Sequence, residues 1–164
     1  MCQQFDSQIL LALAIKIYYY IIGLVETRDC PENPDSLFAD LRSYNVFRKR
    51  RDKNGGGIAL VIKKSLKGFR QIDHEPSDLE LIFVESFALN LVFCVFYGPP
   101  CSINQTLRRL FDHFRMLPQT TIHRMILMGD FNNPEVNWMI QKATSPRAQL
   151  LLDSCKEFGW TQLA

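Results

Sequence analysis

The sequence has little that commits it to a familiar chemistry. Its five cysteines, Cys2, Cys30, Cys94, Cys101 and Cys155, are odd in number and contain no C-x-x-C pair. They suggest neither a zinc site nor a disulfide framework, and a reducing, intracellular setting fits best. There is no G-x-S-x-G elbow, no H-E-x-x-H, no phosphate-binding glycine loop and no dinucleotide fingerprint. The run Gly55-Gly56-Gly57 lacks the Lys-Ser/Thr partner and the following helix of a phosphate cradle, so it reads as a turn. No repeat or low-complexity tract is present. A long uninterrupted apolar run is missing too. Ile9 to Val25 is broken by Lys16, whose insertion into a bilayer would cost about 2.5–3.5 kcal/mol, and the stretch sits at the lower length limit for a spanning helix. With Asp6 the only charge before Lys16, no basic leader precedes it. No membrane association is therefore expected.

Charge is also nearly absent in sum. The 164 residues carry a formal +2, with 47% hydrophobic and 22% charged side chains, as one ordinary globular domain does. The total conceals a block. Between Arg48 and Arg70 nine Lys and Arg face the single acid Asp52, so this segment alone carries +8 and the remainder is net acidic. Its densest part is Arg48, Lys49, Arg50, Arg51 and Lys53, a pattern suited to phosphates and equally to the solvated end of a hairpin.

Periodicity supplies the elements. Ser7 to Lys16 reads as a helix and Tyr19 to Val25 as a buried strand. Tyr44 to Arg50 and Ile58 to Ile62 read as strands joined by a hairpin through Lys53 to Gly57. Leu79 to Phe87 and Leu91 to Tyr97 form another pair, the second apolar throughout and therefore placed centrally in its sheet. Ser102 with Gln105 is a capping box opening a helix with Ile103, Leu107, Leu110, Phe111, Phe114 and Leu117 on one stripe. Met125 to Met128 is a short buried strand, and Arg147 to Phe158 a helix capped by Ser145-Pro146 and stopped by Gly159. The class is α+β, built on packed sheets.

Two polar sites end strongly apolar strands. Glu26 follows Ile21-Ile22-Gly23-Leu24-Val25, and Asp130 with Asn132 follows Met125-Ile126-Leu127-Met128-Gly129. A carboxylate there is costly unless water, a cation or a partner meets it. In an extended chain Asp130 and Asn132 share a side. Asp can hold or deprotonate a water while Asn donates to a phosphate oxygen. Glu26 is the hard oxygen ligand that Mg²⁺ takes. Singly, each is also an ordinary strand-end turn residue. Tyr97, closing Leu91 to Phe96, is either a half-buried strand-end tyrosine or a phenol reaching into the same site.

In order, the blocks Ile21-Ile22-Gly23-Leu24-Val25-Glu26-Thr27, Tyr44-Asn45-Val46-Phe47-Arg48, Gly55-Gly56-Gly57-Ile58-Ala59, Val95-Phe96-Tyr97-Gly98-Pro99-Pro100 and Gly129-Asp130-Phe131-Asn132-Asn133-Pro134 resemble the endonuclease domain of LINE-type (non-LTR) retrotransposons. That domain belongs to the endonuclease/exonuclease/phosphatase superfamily with apurinic/apyrimidinic endonucleases and deoxyribonuclease I. The resemblance covers residues 7–164. It implies a four-layer α/β sandwich, two packed mixed sheets flanked by helices. It also implies phosphodiester hydrolysis of DNA with Mg²⁺, Mn²⁺ being the alternative ion, without a small-molecule cofactor and in the nucleus. Glu26 then matches the metal-binding glutamate and Asp130 the aspartate that orients or deprotonates water. Asn132 matches its phosphate-contacting companion, Tyr97 the active-site tyrosine, and Arg48, Lys49, Arg50, Arg51 and Lys53 would contact DNA phosphates.

The same resemblance sets an expectation of incompleteness. Members begin with a strand bearing an asparagine at the metal site, for which Met1 to Phe5 leave no room, and end with a Ser-Asp-His strand beyond Ala164. His123 lies seven residues before Asp130, on the order of 20 Å along a strand. His113 falls on the polar side of its helix and His74 in a loop, so none replaces the missing histidine. Arg28 stands where members usually carry tryptophan. The expectation is an endonuclease domain cut at both ends and impaired by it, the alternative a non-catalytic remnant that binds nucleic acid or a partner. These residues say nothing of oligomeric state.

Overall fold

The computed structural model describes residues 20–30, 32–50, 56–100 and 103–162. The helix expected over Ser7 to Lys16 lies outside them, as do Ser102, Arg51 and Lys53. The described chain forms two compact units: one of residues before Gly98 together with Met125–Gly129, the other of Gly98–Arg124 and the residues from Asp130 onward.

The first unit is a sandwich of two sheets. In the smaller sheet β1 (Ile21–Val25), β3 (Ile58–Lys63) and β2 (Tyr44–Lys49) lie in the order β1-β3-β2, both pairs antiparallel. The β2–β3 hairpin is the one expected from Asn-Gly-Gly-Gly. Gly56 and Gly57 take φ of 77° and 85°, which side chains resist and glycine does not. The larger sheet runs β4 (Gly68–Arg70), β5 (Glu80–Ser86), β6 (Leu91–Tyr97) and β7 (Met125–Asp130) in that order. The apolar strand β6 is interior and its residues from Val92 to Tyr97 are buried, as a continuous apolar run requires. The three-residue edge strand β4 has no alternation long enough to be read from sequence.

Alternation along β3 fixes how the sheets meet. Ile58, Leu60 and Ile62 point to one side, where they pack with Ile82, Val84, Phe93, Val95 and Tyr97 of the other sheet. Ala59 and Val61 point to the opposite side, against Phe38, Ile22, Leu24 and Val46. Each large aliphatic or aromatic residue so buried stabilises the fold by about 1.5–3 kcal/mol. A one-residue slip in β3 would exchange the two faces. Strand β7 is less buried than its apolar sequence suggests: Met125 is buried but Ile126, Leu127 and Met128 are only half-buried.

The second unit is helical. Helix α1 (Ile103–Met116) buries Leu107, Leu110, Phe111 and Phe114, the expected stripe, while a short helix α2 (Gln119–Ile122) follows it. The ribbon β8 (Val136–Asn137) with β9 (Lys142–Ala143) precedes helix α3 (Pro146–Glu157). The Ser145 side chain accepts from the Ala148 N–H and Pro146 occupies the first turn. Gly159, with φ of 69°, stops the helix as expected. Phe111, Phe114, Phe158 and Trp160 stack among themselves, Phe158 and Trp160 at 4.7 Å between centroids.

The cysteines correct one expectation. Cys94 and Cys155 are free thiols, but Cys30, in the loop after β1, is disulfide-bonded. Among the described residues no helix is long and apolar enough to cross a membrane.

Candidate active site

Strand β1 ends where its backbone turns sharply. Glu26 and Arg28 have φ of 54° and 45°, a left-handed conformation that side-chain-bearing residues seldom adopt and that persists only when the surroundings impose it. The imposing contacts are visible. The Thr27 N–H donates to the Gly57 carbonyl at 3.0 Å and the Arg28 N–H to the Gly56 carbonyl at 2.8 Å. Thr27 is buried, and a Cβ on Gly57 would stand 2.7 Å from its hydroxyl, so only glycine fits beside it. The Gly57 N–H in turn donates to Glu80 Oε2 at 2.7 Å.

This turn sends the Glu26 carboxylate to Tyr97. The buried phenol hydroxyl of Tyr97 donates to Glu26 Oε1 across 71 positions of sequence. The other oxygen, Oε2, lies 3.7 Å from the Arg28 Nε, and the Glu26 side chain remains 39% exposed. Tyr97 thus orients a carboxylate whose second oxygen faces water and a guanidinium.

Asp130 and Asn132 build a different, local arrangement. Asp130 Oδ1 accepts from the Asn132 N–H at 2.8 Å, and Oδ2 from the Asn132 amide Nδ2 at 3.2 Å. That amide also donates to the Gly98 carbonyl at 2.8 Å, while the Gly98 N–H donates to the Asp130 carbonyl at 3.0 Å. Asn132 sits at φ of 43°, which asparagine tolerates better than most residues. The two side chains expected to share a side are therefore in contact, through an Asx-type turn rather than through continued extension. Gly129 makes the turn possible. At its φ of 139° a Cβ would stand 1.8 Å from the Phe96 carbonyl oxygen. Beyond it, Glu135 Oε2 accepts from the Ser145 hydroxyl at 2.5 Å and from Arg147 at 3.0 Å, and the Ser145 bond holds the Glu135 carboxyl below its usual range.

The basic block is largely engaged inside the first unit. The Arg48 guanidinium bridges Asp29 and Asp35, both at 2.7 Å, and is 14% exposed. It also lies over the Phe38 ring. Lys49 Nζ donates to the Pro76 carbonyl at 2.8 Å, and burial lowers its pKa below the usual lysine value. Arg50 pairs with Asp29 at 3.1 Å. His74 lies edge-on to Phe83. The role of Asp29 as the shared anion had no signal in a turn-rich loop.

Mg²⁺ takes hard oxygen donors and keeps several waters, bound through one or two carboxylates. Glu26, with one oxygen fixed by a phenol and one open to solvent, has the chemistry of such a ligand. Among the described residues no group of three or more His, Cys, Asp or Glu side chains is placed to hold a metal.

No curated protein matches the sequence. Among solved structures the chain is similar to the endonuclease domain of TRAS1, a telomere-specific non-LTR retrotransposon, with 16% identity and a TM-score of 0.66. The match covers 96% of this chain and 66% of that one, so the chain spans just under two-thirds of that domain's length. At this identity the likeness shows the fold, an α+β sandwich of the DNase I-like kind. The profile of the endonuclease/exonuclease/phosphatase family matches residues 4–162. The chain belongs to the endonuclease/exonuclease/phosphatase family.

Proposed function

We propose that the chain is a nuclease domain descended from a non-LTR retrotransposon, hydrolysing the DNA backbone with a divalent cation, Mg²⁺ or Mn²⁺. The observation that carries this reading is the Glu26–Tyr97 contact. A strained, partly exposed carboxylate held by a buried phenol from a distant strand is more than a strand-end turn requires.

Glu26 would hold the cation, which when bound neutralises charge on the phosphoryl oxygens. Tyr97 keeps the carboxylate oriented by occupying one oxygen. Asp130 takes the proton of the attacking water at a carboxylate oxygen, and Asn132 would turn to a phosphate oxygen the amide hydrogen that otherwise goes to Asp130 Oδ2. Asn132 also limits the Asp130 side chain to one orientation by bonding both its oxygens. The phosphate-contacting role of the basic block narrows to Arg51, Lys53 and Arg50, whose pairing with Asp29 leaves it 35% exposed, since Arg48 and Lys49 are held more deeply in the fold. Work on DNA would place the protein in the nucleus.

A second reading, nucleic-acid binding without cleavage, is favoured by the Arg28 guanidinium beside Glu26. Incubating the purified chain with supercoiled plasmid and Mg²⁺ separates the two. Nicking lost on adding a chelator supports hydrolysis, and salt-dependent binding without nicking supports the second reading.

A further inference from the structure

Arg28 is the side chain around Glu26 that the proposed chemistry leaves unused. Its backbone is fixed: the N–H bonds to the Gly56 carbonyl at 2.8 Å and φ is 45°. Its side chain is 67% exposed, yet turns back to bring Nε within 3.7 Å of Glu26 Oε2. The Tyr97 hydroxyl takes one lone pair of Oε1, so Oε2 is the oxygen with the more open approach for a cation.

We infer that Arg28 competes with the divalent cation for Glu26, setting the metal concentration at which the site fills. This rests on the metal-binding reading of Glu26 and adds its regulation. A doubly charged ion approaching Oε2 meets a guanidinium of like sign and must displace it. The displacement is feasible because the guanidinium is largely solvated and makes a long, single contact, an ion pair of modest strength. With its charge freed beside a filled site, Arg28 can meet an anionic phosphate oxygen. Cation and nucleic acid then help each other to bind, and by linkage the help is mutual.

The test is a titration of the full chain with Mn²⁺, free ion being followed by electron paramagnetic resonance. Wild type is compared with Arg28→Gln, Arg28→Lys and Glu26→Gln. Gln keeps bulk and the same backbone demand without the charge. The expected result is Mn²⁺ affinity raised about three- to tenfold in Arg28→Gln, the scale of a partly solvated ion pair plus the lost repulsion of a divalent ion. Arg28→Lys should stay near wild type and Glu26→Gln should lose the site. Equal affinity in wild type and Arg28→Gln, with binding still lost in Glu26→Gln, would overturn the role of Arg28 while leaving the metal reading intact. Binding unaffected by Glu26→Gln, or absent throughout, would overturn both. Thermal unfolding of each variant shows that the fold is kept.

Discussion

Two acidic positions, Glu26 in the first unit and Asp130 in the second, are made in opposite ways. Glu26 is placed by tertiary structure: a backbone turn pinned by Gly56 and Gly57, and a phenol 71 positions away. Asp130 is placed by its own neighbours, bonding the residue two positions on with both oxygens. A carboxylate assembled from distant segments depends on the packing of β1, β3 and β6. One held in an Asx-type turn depends on two or three residues and on the glycine before them. Mutation should therefore reach the first through the core and the second through local backbone.

The largest effect expected on this contrast is chemical. Asp130→Ala should reduce plasmid nicking by about 10²–10⁴-fold, the usual contribution of a general base. If the two carboxylates serve one reaction, adding Glu26→Ala should lower activity little further, because residues acting as a unit are not additive. Measured rates that multiply would separate them into independent sites.

Next comes the local backbone. Gly129→Ala places a methyl 1.8 Å from the Phe96 carbonyl at φ of 139°. It should cost about 3 kcal/mol or more, seen as a lowered denaturant midpoint. By contrast, Asn132→Gly, at a φ glycine accepts freely, should change stability by about 1 kcal/mol or less while removing the amide donor. A smaller effect belongs to the distant pairing. Tyr97→Phe keeps the packing in the sandwich and deletes the donor to Glu26, costing about 1 kcal/mol of stability, because Glu26 is partly solvated. Equal unfolding curves for Tyr97→Phe and wild type would show the phenol to be structurally idle.

The smallest effect is a pH dependence in the loop after Asp130. The Ser145 hydroxyl and Arg147 hold the Glu135 carboxyl below its usual value of 4.5. Its folded value being depressed, the stabilisation is complete above 4.5 and disappears as pH falls through the folded value. The melting-temperature gap between wild type and Glu135→Gln should accordingly be present at neutral pH and close in acid. A gap unchanged with pH would show that ionisation of Glu135 is not its cause.

The same contrast decides what the sequence could reveal. The contact between Asp130 and Asn132 is legible in their spacing, since the two are only two residues apart, although an Asx-type turn makes it in place of the extended chain expected there. Whereas β4, β8 and β9 are too short to carry a signal, the longer strands β1, β2, β3, β5, β6 and β7, the β2–β3 hairpin and the helix cap at Ser145 are legible because period, Asn-Gly and Ser-Pro are local signals. The left-handed backbone at Glu26 and Arg28 was not, because it is imposed by main-chain groups of Gly56 and Gly57. Nor did a run of basic residues disclose that Arg48 reaches back to Asp29 and Asp35. Cation counts record charge, whereas exposure depends on partners brought by the fold. The departure at Arg28 is visible as a residue type, but its ion pair with Glu26 is made by the left-handed backbone after β1.

The central claim is that Glu26, Tyr97, Asp130 and Asn132 serve metal-assisted hydrolysis of a phosphodiester. Its most direct measurement is conversion of supercoiled plasmid to open circles by the purified chain in Mg²⁺, beside Asp130→Ala and Glu26→Gln. The expected result is nicking by the wild-type chain that a chelator abolishes and either substitution nearly removes. Nicking of equal rate in the Asp130→Ala chain, or none by the folded wild-type chain at any Mg²⁺ concentration, would contradict it.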